Sequence, residues 1–292
     1  MMVYLKIMRF PIILLGLALA AGAQKIPDSV SLSRDIVYAQ YGEAQLRLDL
    51  YRPRDGEPPL PGVTAVRGGG WRAGDKRGFA SIAAALAEQG LAVACIEYRV
   101  LPEARFPVEV NDVKAAVRWM RAEAKRYGIR PDAIGAIGGS AGGHLVAMLG
   151  TSHKIADLEG DGGHAGVSSR VQAVVAMAPV VDFSGFKGRD PKTRFDFLGS
   201  SFEENPAVWA KASPVTHLSR DSAPFLLMHS KADKTVPYAQ SLEMLERCKA
   251  NGVPAELMTI EDAPHAFWNM PQWSAGVIAR AAKFFHARLD SL

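Results

Sequence analysis

Cysteine is scarce. Cys95 and Cys248 are the only two in 292 residues, too few for a disulfide framework. Cys95 lies inside the apolar run Leu91–Ile96 and Cys248 on a predicted helix, so both read as buried free thiols, with a single bridge as the alternative. No run of Lys or Arg interleaved with aromatics occurs. The basic residues are scattered among acids, the formal charge is +4, and nothing in that balance calls for nucleic acid. No apolar run reaches the ~20 residues of a membrane-spanning helix. There is neither an internal repeat nor a linker, which argues against several domains.

The chain is 48% hydrophobic and 22% charged, enough apolar material for a large core. Its start reads differently. Lys6 and Arg9 precede an apolar stretch from Ile12 to Ala20, and Ala21-Gly22-Ala23 offers small residues before Gln24. Residues 1–23 therefore read as a secretory signal peptide, which implies a secreted or periplasmic protein without a stable membrane anchor. An uncleaved anchor is the alternative. Losing Lys6 and Arg9 and no acid lowers the net charge by two.

Beyond residue 24 the hydrophobic pattern predicts one α/β domain. Asp35–Gln40 and Gln45–Tyr51 alternate as half-buried strands around a turn at Gly42. Pro61–Val66 enters a strand that ends in Arg67-Gly68-Gly69-Gly70-Trp71. A helix over Gly78–Gln89, an apolar strand over Leu91–Glu97 and a helix over Val108–Tyr127 follow. Further strands are predicted at Ile134–Ile137, Val171–Met177, Phe225–His229 and Glu256–Ile260, with helices over Ala239–Ala250 and Ala275–Leu289. Such alternation implies a mostly parallel sheet covered by helices on both faces. Two stretches depart from it: Ser152–Arg170, and Phe183–Leu218, a small cap-like insertion.

Between the strand at Ile134 and the next helix stands Gly138-Gly139-Ser140-Ala141-Gly142-Gly143. G-x-S-x-G at a strand-to-helix corner is the spacing of a nucleophile elbow, where a strained turn lifts the serine above the sheet edge. A phosphate-binding corner is the rival, but no Gly-Lys-Ser/Thr follows and no G-x-G-x-x-G ends the strand. A serine hydroxyl needs a base, and the base a third group. Of seven histidines, His265 alone combines a loop, a strand's carboxyl end and the chain order Ser…Asp…His. His144, His153, His164, His217, His229 and His286 read as surface or satisfied core residues. Asp233, just after the strand Phe225–His229, is the favoured acid, Asp182 its rival, and Asp262 can cap a turn. Donors for a developing oxyanion are available from Ala141 and from the glycine run Gly68-Gly69-Gly70.

The combination of Arg67–Trp71, Tyr98-Arg99-Val100-Leu101-Pro102-Glu103 with Phe106-Pro107, the elbow, Asp233 and His265 resembles an α/β-hydrolase. More narrowly it is similar to the hormone-sensitive-lipase-like esterases and their bacterial acetyl xylan/feruloyl (BD-FAE-type) relatives, over roughly residues 35–290. The resemblance implies ester hydrolysis through an acyl-serine, with no metal and no cofactor. It implies Ser140 as nucleophile, Asp233 as acid, His265 as base, and Gly68, Gly69 and Ala141 as the oxyanion hole. Two features depart from the pattern: Arg67 stands where these families usually carry histidine, and Ser230-Lys231-Ala232-Asp233 is closer to the feruloyl/acetyl-esterase side.

The insertion mixes Phe186, Phe195, Phe197, Phe202 and Trp209 with Lys187, Arg189, Asp190, Lys192 and Arg194. That suits a small cap better than a lipid-facing lid, with Trp71 and Trp209 expected to line the pocket. The expected substrates are small-molecule or polysaccharide-linked esters with short or aromatic acyl groups. The alternatives are an amidase, formamidase or peptidase on the same fold, or a non-catalytic binding relative. For Arg67, Asp75, Glu97 and Glu103 are candidate partners by position; the alternatives are a head group reaching solvent and one that holds an anionic substrate.

Overall fold

A computed structural model describes residues 26–73, 75–186 and 191–292. The proposed signal peptide lies outside the described residues, as do Lys187, Arg189 and Asp190 of the insertion. Among the described residues no helix is long and apolar enough to cross a membrane.

Eight strands form one sheet in the order β1-β2-β4-β3-β5-β6-β7-β8. They are β1 (Val30–Tyr41), β2 (Ala44–Pro53), β3 (Leu60–Val66), β4 (Ala92–Ile96), β5 (Ile129–Gly139), β6 (Ala173–Met177), β7 (Phe225–Ser230) and β8 (Ala255–Ile260). The hairpin β1–β2 is antiparallel and joins β4 antiparallel, whereas every pair from β4 to β8 is parallel. This explains two textures in the sequence. The hairpin edge, half solvated, alternates polar and apolar; the central strands, covered twice, are continuous apolar runs.

The helices are α1 (Ala80–Glu88), α2 (Val108–Ala122), α3 (Ala124–Tyr127), α4 (Ala141–Thr151), α5 (Pro191–Leu198), α6 (Pro206–Ala212), α7 (Ala239–Ala250) and α8 (Pro271–Leu289). Strand pleating divides the core in two. Ala92, Ala94 and Ile96 of β4 pack with α2, α4 and α7, while Val93 and Cys95 pack with α1 and α8 on the other face. Cys248 lies in the first of these cores and Cys95 in the second, both as free thiols, so the alternative of a bridge between them is not realised.

The continuous helix expected over Val108–Tyr127 is interrupted. Glu123, at φ −91° and ψ 7°, ends α2, and α3 adds one turn before Gly128 closes it at φ +65°. The amphipathic stripe runs through the break, which is why periodicity did not reveal it. The insertion after β6 folds as α5, α6 and a 3₁₀ turn at Pro214–His217.

Candidate active site

Parallel strands place their carboxyl ends on one edge, and each candidate residue follows one of them. Val66 pairs with Gly138 and Gly139 with Met177, so the glycine run after β3 and Ser140 after β5 emerge side by side. Ser230 pairs with Ile260, which brings Asp233, three residues on, beside the loop holding His265.

The elbow is strained. Ser140 adopts φ +57° and ψ −122°, a region side-chain-bearing residues rarely enter, at a cost of order 1–3 kcal/mol. The turn closes because its neighbours carry no side chain: a Cβ on Gly142 would lie 2.1 Å from the Val66 carbonyl oxygen. Ser140 N–H donates to the Met177 carbonyl over 2.8 Å, anchoring the corner to β6.

Ser140, His265 and Asp233 form one hydrogen-bonded chain. His265 Nδ1 lies 2.6 Å from Asp233 Oδ2, and His265 Nε2 lies 2.9 Å from Ser140 Oγ. The Asp233 side chain is fully buried, and burial by itself would raise its pKa. Hydrogen bonds from His229, His265 and the Thr235 amide outweigh that, holding the carboxyl well below the usual carboxylate range. Asp233 is thus an acceptor near neutral pH, so the proton sits on Nδ1 of His265. Nε2 is then free to accept from the Ser140 hydroxyl. Asp233 is itself fixed: Oδ1 accepts from the Thr235 and Val236 amides at 2.8 and 3.0 Å, and His229 Nε2 lies 3.5 Å from Oδ2.

The rival carboxylate is elsewhere. Asp182 Oδ1 accepts from the amide and hydroxyl of Ser184, capping the turn that starts the insertion. It makes no contact with His265.

The glycine run packs directly on the elbow. A Cβ at Gly68 would sit 2.5 Å from the Gly139 carbonyl oxygen and 3.0 Å from Ser140 Cβ, so only glycine allows this approach. The Tyr98 hydroxyl donates to the Arg67 carbonyl at 3.0 Å, and Leu101 N–H to the Trp71 carbonyl at 2.8 Å. The N–H groups of Gly68, Gly69, Gly70 and Ala141 donate to no described residue. Gly68 and Ala141 adjoin Ser140, and all four residues line the same cavity with their donor capacity unused.

These groups open onto a cavity of about 420 Å³. Its walls include the glycine run, Trp71, Phe79, Val180, Phe186, Val236 and Trp268, with Arg67 and Arg194 as the charged members beside His265. Trp71 is among the residues of its wall. Trp209 is not: it is buried within the cap, edge-on to Phe183 and Phe202, and its indole N–H donates to the Ser200 carbonyl. The aromatic that the cap does contribute is Phe186, and Trp268 adds a second wall unassigned from the sequence. Its nearness to His265 in the chain was the available signal. Among the described residues no cluster of His, Cys, Asp or Glu is arranged to hold a metal ion.

Comparison with known proteins agrees with this geometry. The BD-FAE family model matches residues 48–248. LipM of Mycobacterium tuberculosis, a probable carboxylic ester hydrolase, is 32% identical over 80% of this chain and 56% of its own length. The chain spans between half and two-thirds of the length of such curated relatives. A truncated carbohydrate esterase from gut microbiota superposes with a TM-score of 0.83 at 27% identity, over 90% of this chain and 98% of that one. A thermophilic esterase of Thermogutta terrifontis, Est2, in its butyrate-bound form, superposes with a TM-score of 0.75 at 27% identity, over 89% and 94%. The fold is that of the α/β-hydrolase esterases, and the chain belongs to the BD-FAE family.

Proposed function

We propose that this protein is an exported serine carboxylesterase that removes short or aromatic acyl groups, with residues 24–292 as its catalytic domain. The observation that carries the reading is the chain Ser140–His265–Asp233, opening on a cavity bordered by backbone donors without acceptors. In the first step His265 Nε2 takes the hydroxyl proton as Ser140 Oγ attacks the ester carbonyl carbon. The imidazolium so formed is stabilised by Asp233, which stays ionised. Negative charge developing on the carbonyl oxygen is met by N–H groups of Ala141 and the Gly68–Gly70 run, preorganised by the Tyr98 and Leu101 hydrogen bonds. The imidazolium then returns its proton to the leaving alcohol. Water repeats the sequence on the acyl-serine, with His265 again as base.

The cavity's size and its walls of Phe186, Val236 and Trp268 favour a small or planar acyl group. The butyrate bound by Est2 and the carbohydrate esterase among the structural relatives support the same class, including acyl groups carried on polysaccharide. The export proposal rests on the pattern of residues 1–23.

A fluorophosphonate probe tests the reading. Mass spectrometry should place the adduct on Ser140, and Ser140→Ala should neither label nor turn over acetyl or butyryl esters. Residual full activity in Ser140→Ala would overturn it.

A further inference from the structure

Arg67 is a cation in the cavity wall that forms no ion pair among the described residues, although Asp75 lies close enough to feel its charge. Each acid near it in sequence is committed elsewhere or apart: Asp75 is held by Arg77 at 2.6 Å and Glu97 by Lys76 at 2.8 Å, while Glu103 is exposed and forms no ion pair with Arg67. The guanidinium forms no hydrogen bond or ion pair with a described residue, while Gly78 packs against its Nε. The Arg67 backbone, by contrast, is clamped. Its carbonyl accepts from Tyr98, and its carbonyl carbon and oxygen lie 2.8 Å from where a Cβ on Gly142 would be. The base of the side chain is therefore fixed beside the elbow.

The path of the side chain is also built. Gly78 leaves the space that Arg67 occupies, since a Cβ there would fall 2.0 Å from Arg67 Nε and 2.1 Å from Cδ. The side chain of half-buried Arg67 is thus guided past Gly78 in the wall of the cavity. Among the described residues, no aspartate or glutamate lines that cavity. The second cation there, Arg194, is engaged with Phe186: it donates to the Phe186 carbonyl and stacks over its ring at 4.8 Å. A half-buried guanidinium that lines a cavity with no acid in its described wall attracts an anion, and its planar donors match a carboxylate.

We propose that the preferred substrates are esters carrying a carboxylate a few bonds from the scissile carbonyl, with Arg67 as the group that recognises it. This rests on the ester-hydrolase reading above and narrows it to anionic esters.

The test compares matched substrates: 3-acetoxybenzoate against 3-acetoxybenzamide, with the charge on the alcohol side, and methyl hydrogen adipate against methyl adipamate, with the charge on the acyl side. In the native enzyme kcat/KM should favour the anion in at least one pair by about tenfold or more, the scale of one hydrogen bond to a charged group. The preference should shrink as salt is added. Arg67→Gln should abolish it and Arg67→Lys should keep part of it. Gly78→Ala should reduce it with the charge retained, because the new methyl displaces the guanidinium. That variant also covers the case in which Arg67→Gln folds poorly. An arginine that merely supported the glycine run would lower both members of a pair alike and leave their ratio unchanged; an unchanged ratio in Arg67→Gln and Gly78→Ala overturns the proposal. Turnover of the neutral members reads the ester-hydrolase assignment separately. If no ester of either kind is hydrolysed, that assignment fails and this one with it.

Discussion

The indole Nε1–H of Trp71 is donated to Nδ1 of His144 across 3.2 Å. Indole can only donate, so Nδ1 accepts and the imidazole proton sits on Nε2, which donates to the Ala212 carbonyl at 2.8 Å. Burial drives the His144 pKa down to about 4, so the ring stays neutral and this pattern persists through the physiological range. One imidazole thereby ties together the glycine run after β3, the first turns of α4 behind Ser140, and the end of α6 in the cap. Trp71 needs the support: its φ of +56° is strained for a side-chain-bearing residue, and its ring is stacked on Phe197 at 4.3 Å.

Replacing His144 with leucine should therefore loosen the loop rather than remove a reacting group. It leaves the Trp71 N–H and the Ala212 carbonyl unpaired in a buried place, costing about 1–3 kcal/mol for each. The melting temperature should fall by several degrees and kcat/KM by roughly tenfold, through kcat more than KM. Trp71→Phe removes only one of the two bonds and should do less. Thermal melts and steady-state kinetics on both variants decide the matter; wild-type behaviour in His144→Leu would show that the loop does not depend on this link.

Asp233 and Asp182 provide a second contrast. Asp233→Asn keeps the shape but favours the wrong imidazole tautomer, and should lower kcat on the order of 10⁴-fold. Asp182→Asn loses only the cap to Ser184 and should leave turnover within a few-fold. Reversed effects in a single-turnover assay would move the orienting acid to the strand before the insertion.

Why these positions were readable before any fold was known has a physical answer. Ser140 and Gly142 are local: the strained corner demands glycine within two residues, so the signal is contained in a few letters. Asp233 and His265 were placed by topology, because parallel strands deliver their carboxyl ends to one edge. The wall of the cavity is different. Phe186 and Trp209 lie in the same insertion with the same chemistry, and which of them faces the cavity depends on how α5, through Phe197, packs on Trp71 and how α6, through Trp209, packs on Phe183. No local pattern encodes that. The break between α2 and α3 was hidden for a related reason, since the apolar stripe continues across Glu123.

Cavity size sets the expected acyl range. With Phe186 and Trp268 as walls, kcat/KM should fall from butyryl to lauroyl to palmitoyl 4-nitrophenyl esters, by about tenfold or more over the series. Phe186→Ala should flatten that decline by opening the cap side. Rates that rise with chain length, with activation at an oil–water interface, would contradict a small-acyl pocket.

The last prediction concerns Glu109, in the first turn of α2. Its side chain is fully buried, and neither carboxylate oxygen has a hydrogen-bond partner among the described residues. Burial raises its pKa to about 8 from an ordinary 4.5, outweighing the pull of its own backbone amide, with a smaller push from the Asp112 carboxylate. The folded protein therefore keeps a proton that the unfolded chain releases above about pH 4.5. By linkage, stability falls as pH rises between those two values, by up to about 1.4 kcal/mol per pH unit, and the loss levels off above the folded pKa. Below the unfolded pKa both states are protonated and the group contributes no slope. Glu109→Gln has the same shape and nothing to titrate. The two proteins should melt at similar temperatures near pH 4.5, and the variant should gain steadily on the native protein up to about pH 8. All other titrating groups are common to both and cancel in the difference. Parallel melting curves from pH 4.5 to 8 would mean that Glu109 is ionised in the folded state and has found a partner for its charge.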